Sequence, residues 1–148
     1  MRTPKTVPDF RLVSNPKELD MEDLSRLLDS SGMRARDRER MLIAINGSTE
    51  VIAVYLVSGE LIGFGRLVSD GSYYGTIWDI AVDPNYQKCG IGAAIVTTLL
   101  KTSRRLGLYM VGLFTALHNR QFYEDLGFVI LDDIHPMRAQ VDLPLQPH

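Results

Sequence analysis

The stretch Trp78-Asp79-Ile80-Ala81-Val82-Asp83-Pro84-Asn85-Tyr86-Gln87-Lys88-Cys89-Gly90-Ile91-Gly92 changes its hydrophobic period midway. Thr76 to Val82 is apolar and reads as a strand carrying a single carboxylate, Asp79. Asp83-Pro84 closes the strand, because proline donates no N–H and restricts the residue before it. Ile91, Ile95, Leu99, Thr102 and Leu106 then recur at helical spacing, with Lys101, Arg104 and Arg105 mainly on the other side and Gly107 as the stop. A strand therefore feeds a long helix through a loop that ends in Gly90 and Gly92. A helix N-terminus offers unpaired N–H groups and a positive dipole end, which suits a phosphate or pyrophosphate. Glycine lets an anion reach that backbone without meeting a Cβ. The loop is not a P-loop, since Gly-x-x-x-x-Gly-Lys-Ser/Thr is absent. It is not Gly-x-Gly-x-x-Gly either, since the third glycine position holds Ile95, or Ala94 on a looser count. Taken alone, the glycine pair fits an ordinary tight helix start equally well.

Upstream of this stretch, residues 1–9 predict an extended lead-in and Phe10 to Ser14 a first strand. Met21, Leu24, Leu27 and Leu28 predict a helix stopped by Gly32. The charge run Arg34 to Arg40 continues into Met41, Leu42, Ile43 and Ile45. It reads as one amphipathic helix with solvated arginines, since Asp37 and Glu39 interleave with them. Val51 to Val57 and Leu61 to Val68 form a hairpin around Ser58-Gly59-Glu60. Downstream come an apolar strand over Leu108 to Thr115, a short helix over Asn119 to Leu126 ended by Gly127, and a strand from Phe128. A final strand is expected near Met137 to Leu143. The order β-α-α-β-β-β-α-β-α-β defines a mixed α/β domain over residues 1–148.

Composition narrows the function. The chain has 148 residues, 45% hydrophobic and 23% charged, with a formal net charge of −2. This is enough for one ordinary core, and the charge balance argues against a broad basic nucleic-acid face. One cysteine, Cys89, excludes an internal disulfide, and His118, His135 and His148 are too far apart in sequence for a metal-site spacing. No apolar run reaches the roughly 18 residues of a membrane span. Neither a metal, a nucleic acid nor a membrane is expected as a partner.

A second signal, Phe122-Tyr123-Glu124-Asp125-Leu126-Gly127-Phe128, packs Phe122 and Leu126 inward at i, i+4 and sets Tyr123 on a neighbouring face. Together, in this order, the two signals resemble the GNAT superfamily of acyl-CoA-dependent N-acetyltransferases. The resemblance runs from about Leu61 to Phe128. The family's Gln/Arg-x-x-Gly-x-Gly/Ala stands as Gln87-Lys88-Cys89-Gly90-Ile91-Gly92, and its late tyrosine with Gly-Phe as Tyr123 with Gly127-Phe128. Within the family, Thr-Ile-Trp-Asp-Ile-Ala-Val-Asp-Pro and Phe-Tyr-Glu-Asp-Leu-Gly-Phe look most like the plant plastid and cyanobacterial branch. That branch includes enzymes described as serotonin N-acetyltransferases and as protein lysine or N-terminal acetylases.

The resemblance implies a mixed central sheet flanked by helices and acetyl-CoA as co-substrate. It implies that the backbone of Ile80, Ala81 and Val82 pairs with the pantetheine arm. The amides from Gln87, Lys88, Cys89, Gly90, Ile91, Gly92 and Ala93 would cradle the pyrophosphate. The family's asparagine seven positions before the tyrosine is Ala116 here, and Asn119 is the nearby cofactor contact. Lys88 stands where glycine is frequent. Tyr123 is the expected acid for the departing thiolate. Asp79 is the expected base, as strict alternation buries it beside Ile77 and Ala81, where a carboxylate takes a partner or a raised pKa. It could instead be a structural carboxylate; Glu124 and His118 are alternative bases. Cys89 near a helix start invites an acetyl-cysteine route, but nothing in sequence supplies it with a base, and the resemblance implies direct transfer.

Tyr73, Tyr74 and Trp78 could wall an indole-ethylamine site, or equally pair as hairpin aromatics. The expected acceptor is thus an arylalkylamine, with a protein amine as the alternative. A non-catalytic acyl-CoA-binding regulator and a protein-interaction module are further readings. Dimerisation through edge strands or the tail is compatible with the pattern. The expected location is the chloroplast if a transit peptide has been removed, and otherwise the cytoplasm.

Overall fold

The computed structural model describes residues 6–34 and 36–141. In chain order the elements are β1 (Phe10–Ser14), α1 (Met21–Ser30), α2 (Arg38–Asn46), β2 (Glu50–Leu56), β3 (Leu61–Ser69), β4 (Tyr74–Val82), α3 (Ile91–Leu106), β5 (Met110–Gly112) and α4 (Arg120–Asp125). Single 3₁₀ turns at Pro84–Tyr86 and Leu117–Asn119 precede α3 and α4. The sheet runs β1-β2-β3-β4-β5, antiparallel from β1 to β4 and parallel between β4 and β5. This is the mixed sheet flanked by helices that the sequence predicts.

Alternation along β2 explains the two-sided core. Ile52 and Val54 face α3, where Ile91, Ile95, Val96 and Leu99 bury completely or nearly so. Val51 and Ala53 face α1 and α2, against Leu24, Leu27, Leu28, Met41 and Phe64. The long helix lies unusually close to β3. A Cβ on Gly65 would stand 2.6 Å from both Ile80 Cδ1 and Ile95 Cγ2, so only glycine admits the helix there. The helix ends are capped as their residues predict. Asp20 accepts from the amides of Glu22 and Asp23, and Gly107 closes α3 at φ 70° behind Arg104 and Arg105.

Three expectations change. The run Arg34 to Arg40 is not one helix: Asp37 caps α2 by accepting from the Arg40 amide at 3.0 Å, leaving Arg34 and Arg36 in the α1–α2 connection. The strand over Leu108 to Thr115 shrinks to Met110–Gly112, because β4 diverges beyond Thr76 and leaves Leu113 to Thr115 no partner. The strand from Phe128 does not form: Phe128 packs against the core, but 129–141 has no ladder among the described residues, and Asp132, Asp133 and Pro136 interrupt its apolar run. The expected strand near Met137 to Leu143 is absent up to Val141, and its remainder lies outside the described residues. Of the extended lead-in, residues 6–9 carry neither helix nor strand, and the rest also lies outside them.

Candidate active site

Two irregularities in β4 build the site. First, its pairing with β5 stops at Thr76 opposite Gly112, so among the described residues the edge of Ile77 to Val82 that faces β5 has no strand beside it. The parallel strands thus part into a wedge. Second, the register with β3 slips: Phe64 pairs with Ala81 and Arg66 with Trp78, so Gly65 alone opposes Asp79 and Ile80. This is a β-bulge, and Asp79 takes the extra position at φ 59°. The extra residue reverses the alternation expected for the strand. Ile77 joins the α3-side core, whereas Ala81 joins the α1 side.

At the far end of β4, the Asp83 carboxylate caps the turn through the Asn85 amide at 2.8 Å, and Gln87 donates to the Val82 carbonyl at 3.3 Å. Lys88 and Gly90 are both left-handed, at φ 61° and 83°. Glycine adopts this freely, whereas at Lys88 it costs about 1 kcal/mol or more. The loop then delivers α3 with no side chain capping its N-terminus. The amides of Ile91, Gly92 and Ala93 belong to the first turn, where an α-helix offers no internal acceptor. Cys89 is buried in the core, its Sγ 3.6 Å from the Gln87 carbonyl, and is a packing group.

Helix α4 docks over this turn: Phe122 Cζ lies 3.3 Å from the place a Gly92 Cβ would take. Tyr123 follows, half-buried, edge-on to Phe122 at 4.9 Å and to Phe128 at 5.6 Å. Burial raises the Tyr123 pKa above its ordinary value, so the phenol keeps its proton throughout the neutral range. Asn119 does not cap α4; its amide donates to Thr115 Oγ1 at 3.2 Å.

Asp79 requires a correction. Its buried carboxylate is claimed by two guanidiniums: Oδ2 lies 2.6 Å from Arg36 Nη1 and 2.7 Å from Arg66 Nε. Burial alone would raise its pKa, but hydrogen bonds and charge from Arg36 and Arg66 outweigh that and hold it below the ordinary carboxylate value. A carboxylate so held is a poor proton acceptor, which argues against the general-base role expected for Asp79. Glu124 is taken by Arg120 at 2.6 Å, and His118 is exposed. Because the folded pKa is depressed, the stability Asp79 confers is full above its unfolded value of about 3.9. It is lost as pH falls through the folded value. Asp79→Asn is therefore expected to cost about 2 kcal/mol at neutral pH, with solvent screening the exposed part of Arg36. Urea unfolding of both proteins from pH 7 down to pH 3 should show the gap narrowing.

The proposed aromatic wall also divides. Tyr74 sits edge-on to Tyr109 at 6.3 Å with Tyr73 beside it, at the closed end of the wedge where β4 and β5 are paired. Five residues of strand separate Tyr74 from the bulge, about 16 Å, so Tyr73 and Tyr74 do not flank it. Trp78 does, 39% exposed and 5.8 Å from Phe114 across the opening strands. Sequence reading missed Phe114, Arg36 and Arg66. A lone carboxylate in an apolar strand signals that cations are near, but not which ones.

The fold that carries this wedge and helix start is one that known proteins share. The family model for the acetyltransferase (GNAT) family matches residues 17–128, and the chain belongs to that family: it is an N-acetyltransferase. It is 32% identical over 120 residues to an uncharacterized N-acetyltransferase, ycf52, of Porphyra purpurea, covering 79% of this chain and 69% of that one. It is 30% identical over 138 residues to histone acetyltransferase TAP1 of Glycine max, covering 84% of this chain and 60% of the relative. A solved GNAT family acetyltransferase, SP0256 of Streptococcus pneumoniae, superimposes with a TM-score of 0.77 at 26% identity, over 90% of this chain and 98% of that one. Members of the family use acetyl-CoA.

Proposed function

We propose that this chain transfers an acetyl group from acetyl-CoA directly to a primary amine, and that the preferred acceptor is an arylalkylamine of the tryptamine or serotonin type. One observation carries the acetyl-CoA site: the unpaired edge of Ile77 to Val82 leads straight to the uncapped amides of Ile91, Gly92 and Ala93. The edge offers backbone partners to an amide-bearing pantetheine arm, at Ile80, Ala81 and Val82. The helix start, flanked by Lys88, suits a pyrophosphate. Gln87, Cys89 and Gly90 act in this reading by shaping the loop rather than by side-chain contact, and Asn119 by lining its far side. No group of three or more metal-ligating side chains occurs among the described residues, and the reading needs none.

Bound acetyl-CoA supplies an activated thioester. Tyr123 holds a proton beside the helix start and donates to the departing sulfur, whose thiolate resembles that of cysteine, with a pKa of about 8.5. With Asp79 held ionised by two arginines, the amine gives its proton to solvent and reacts from its free-base fraction. The free amine nitrogen bonds to the acetyl carbon as the C–S bond breaks and sulfur takes the Tyr123 proton; the second proton, shed by the nitrogen on forming the amide, passes through solvent to restore the phenol.

The acceptor reading rests on Trp78 and Phe114, an aromatic pair beside the bulge that an indole could stack upon. A protein amine is the second reading, favoured by the exposure of both rings and by the histone acetyltransferase among the relatives. The test is initial rates on tryptamine, serotonin and a lysine peptide, beside Trp78→Ala. The expected result is turnover of the indole amines, with their KM raised about tenfold in the variant and that of acetyl-CoA unchanged. Turnover confined to the peptide would replace the arylalkylamine reading with protein acetylation. A plastid location follows the motif resemblance and is part of the proposal, as is dimerisation through the β5 edge.

A further inference from the structure

Arg36 stands in the connection between α1 and α2, which starts with Ser31 Oγ donating to the Val82 carbonyl of β4 at 3.3 Å and with Met33 packed against the α1-side core. Its first half is fastened to α1 by the Met33 amide on the Leu28 carbonyl at 3.1 Å, and its end by the Asp37 cap. Beneath it lies a cleft of about 270 Å³ between Leu24, Ser25 and Leu28 on one side and Arg34, Arg36 and Met41 on the other. Past the Met33 contact with the core, Arg34 and Arg36 line this cleft. Across that gap, Arg36 reaches Asp79 at 2.6 Å, and Asp79 is the extra residue of the β4 bulge. The same carboxylate oxygen takes Arg66 Nε from β3, and Arg66 Nη1 goes on to Ser48 Oγ, just past α2, at 3.3 Å.

The network has a direction. Arg66 is mostly buried and satisfies Asp79 from within the sheet, whereas the Arg36 side chain is about a third exposed (35%) and comes from outside it. Losing Arg36 leaves the Asp79–Arg66 pair and the Ser31 hydrogen bond to Val82, but removes the tie between the second half of the connection and the bulge. Trp78, the next residue on β4, projects on the face that carries Arg36, and its indole N–H donates to Thr76 Oγ1 on that same face at 2.8 Å. Arg36, through Asp79, and the neighbouring Trp78 thus lie on the same face of β4, the side away from α3.

We propose that Arg36, through its ion pair with Asp79, is a positioning residue that fixes the α1–α2 connection as one wall of the acceptor site. The inference rests on the acetyl-transfer reading above and assigns the wall of that site. Arg36 meets β4 at the Asp79 side chain and not at the backbone of Ile80 to Val82 or the helix start, so its loss falls on acceptor capture and spares acetyl-CoA. Ion pairing, not bulk, is the operative property, so lysine at this position restores part of the effect.

The experiment is steady-state kinetics of wild type, Arg36→Ala and Arg36→Lys with tryptamine and with the lysine peptide, with thermal midpoints recorded for each. Arg36→Ala is expected to raise the KM of whichever amine the wild type turns over by about tenfold. Its kcat and acetyl-CoA KM should stay within twofold, and Arg36→Lys should lie between it and wild type. An unchanged acceptor KM in an active enzyme overturns the inference and leaves the acetyl-transfer reading standing. So does a parallel rise in both KM values, or a lysine variant no better than alanine. A wild type that turns over neither amine removes the acetyl-transfer reading and this inference with it.

Discussion

Replacing Tyr123 by phenylalanine is expected to lower kcat by 100- to 1,000-fold and to leave acetyl-CoA affinity within threefold. The fold survives this change. The Tyr123 ring is held edge-on between Phe122 and Phe128, contacts that phenylalanine reproduces. What disappears is the hydroxyl and its proton. Burial raises the pKa of that phenol, so at neutral pH it is a donor and not a phenolate. A positioned proton donor contributes about 10²- to 10⁴-fold, and the lower part of that range applies because solvent can also protonate a thiolate. Steady-state rates with calorimetric titration of acetyl-CoA separate the two quantities. A loss of less than threefold in kcat would remove Tyr123 from the chemistry.

The second large effect is expected at Gly92. Asp at this position puts a carboxylate on the first turn of α3, where the free amides and the dipole attract it. The same attraction that stabilises the helix start fills the place proposed for the pyrophosphate and adds a like charge there. Acetyl-CoA affinity should fall at least about 100-fold, about 2.7 kcal/mol. The thermal midpoint should drop little, because the contact with the Phe122 ring edge at 3.3 Å needs only a small shift of α4. A large loss of ligand affinity with little change in thermal midpoint marks the site. A variant that binds acetyl-CoA as wild type does would place the pyrophosphate elsewhere.

Much of this architecture was legible in the sequence because its signals are local. The period change between Val82 and Ile91 fixes a strand, a turn and a helix without reference to the rest of the chain. The Gly107 and Asp20 caps are likewise short-range. The bulge was not legible. It is a mismatch of count between β3 and β4, and only the register of Phe64 with Ala81 and of Arg66 with Trp78 exposes it. Once one residue is added, strict alternation no longer holds from Ile77 to Ala81, and of the two outcomes expected for a buried carboxylate, a partner or a raised pKa, Asp79 takes the first. Arg36 was hidden for a related reason. In a charge run it reads as solvated, and its partner lies 43 residues along the chain, beyond any periodic pattern. The weak edge was overestimated too, because Leu113 to Thr115 has strand composition but β4 has already turned away.

The wedge, the helix start and Tyr123 together make one central claim: the acetyl group passes directly from acetyl-CoA to an amine. The most direct measurement follows thiol release from acetyl-CoA with and without tryptamine, with mass spectrometry of both product and protein. The account predicts release only when the amine is present, one acetyl amide formed for each thiol, and Cys89 unmodified. Acetyl-CoA that binds but releases no thiol with any amine, or an acetyl group found on Cys89, would contradict it.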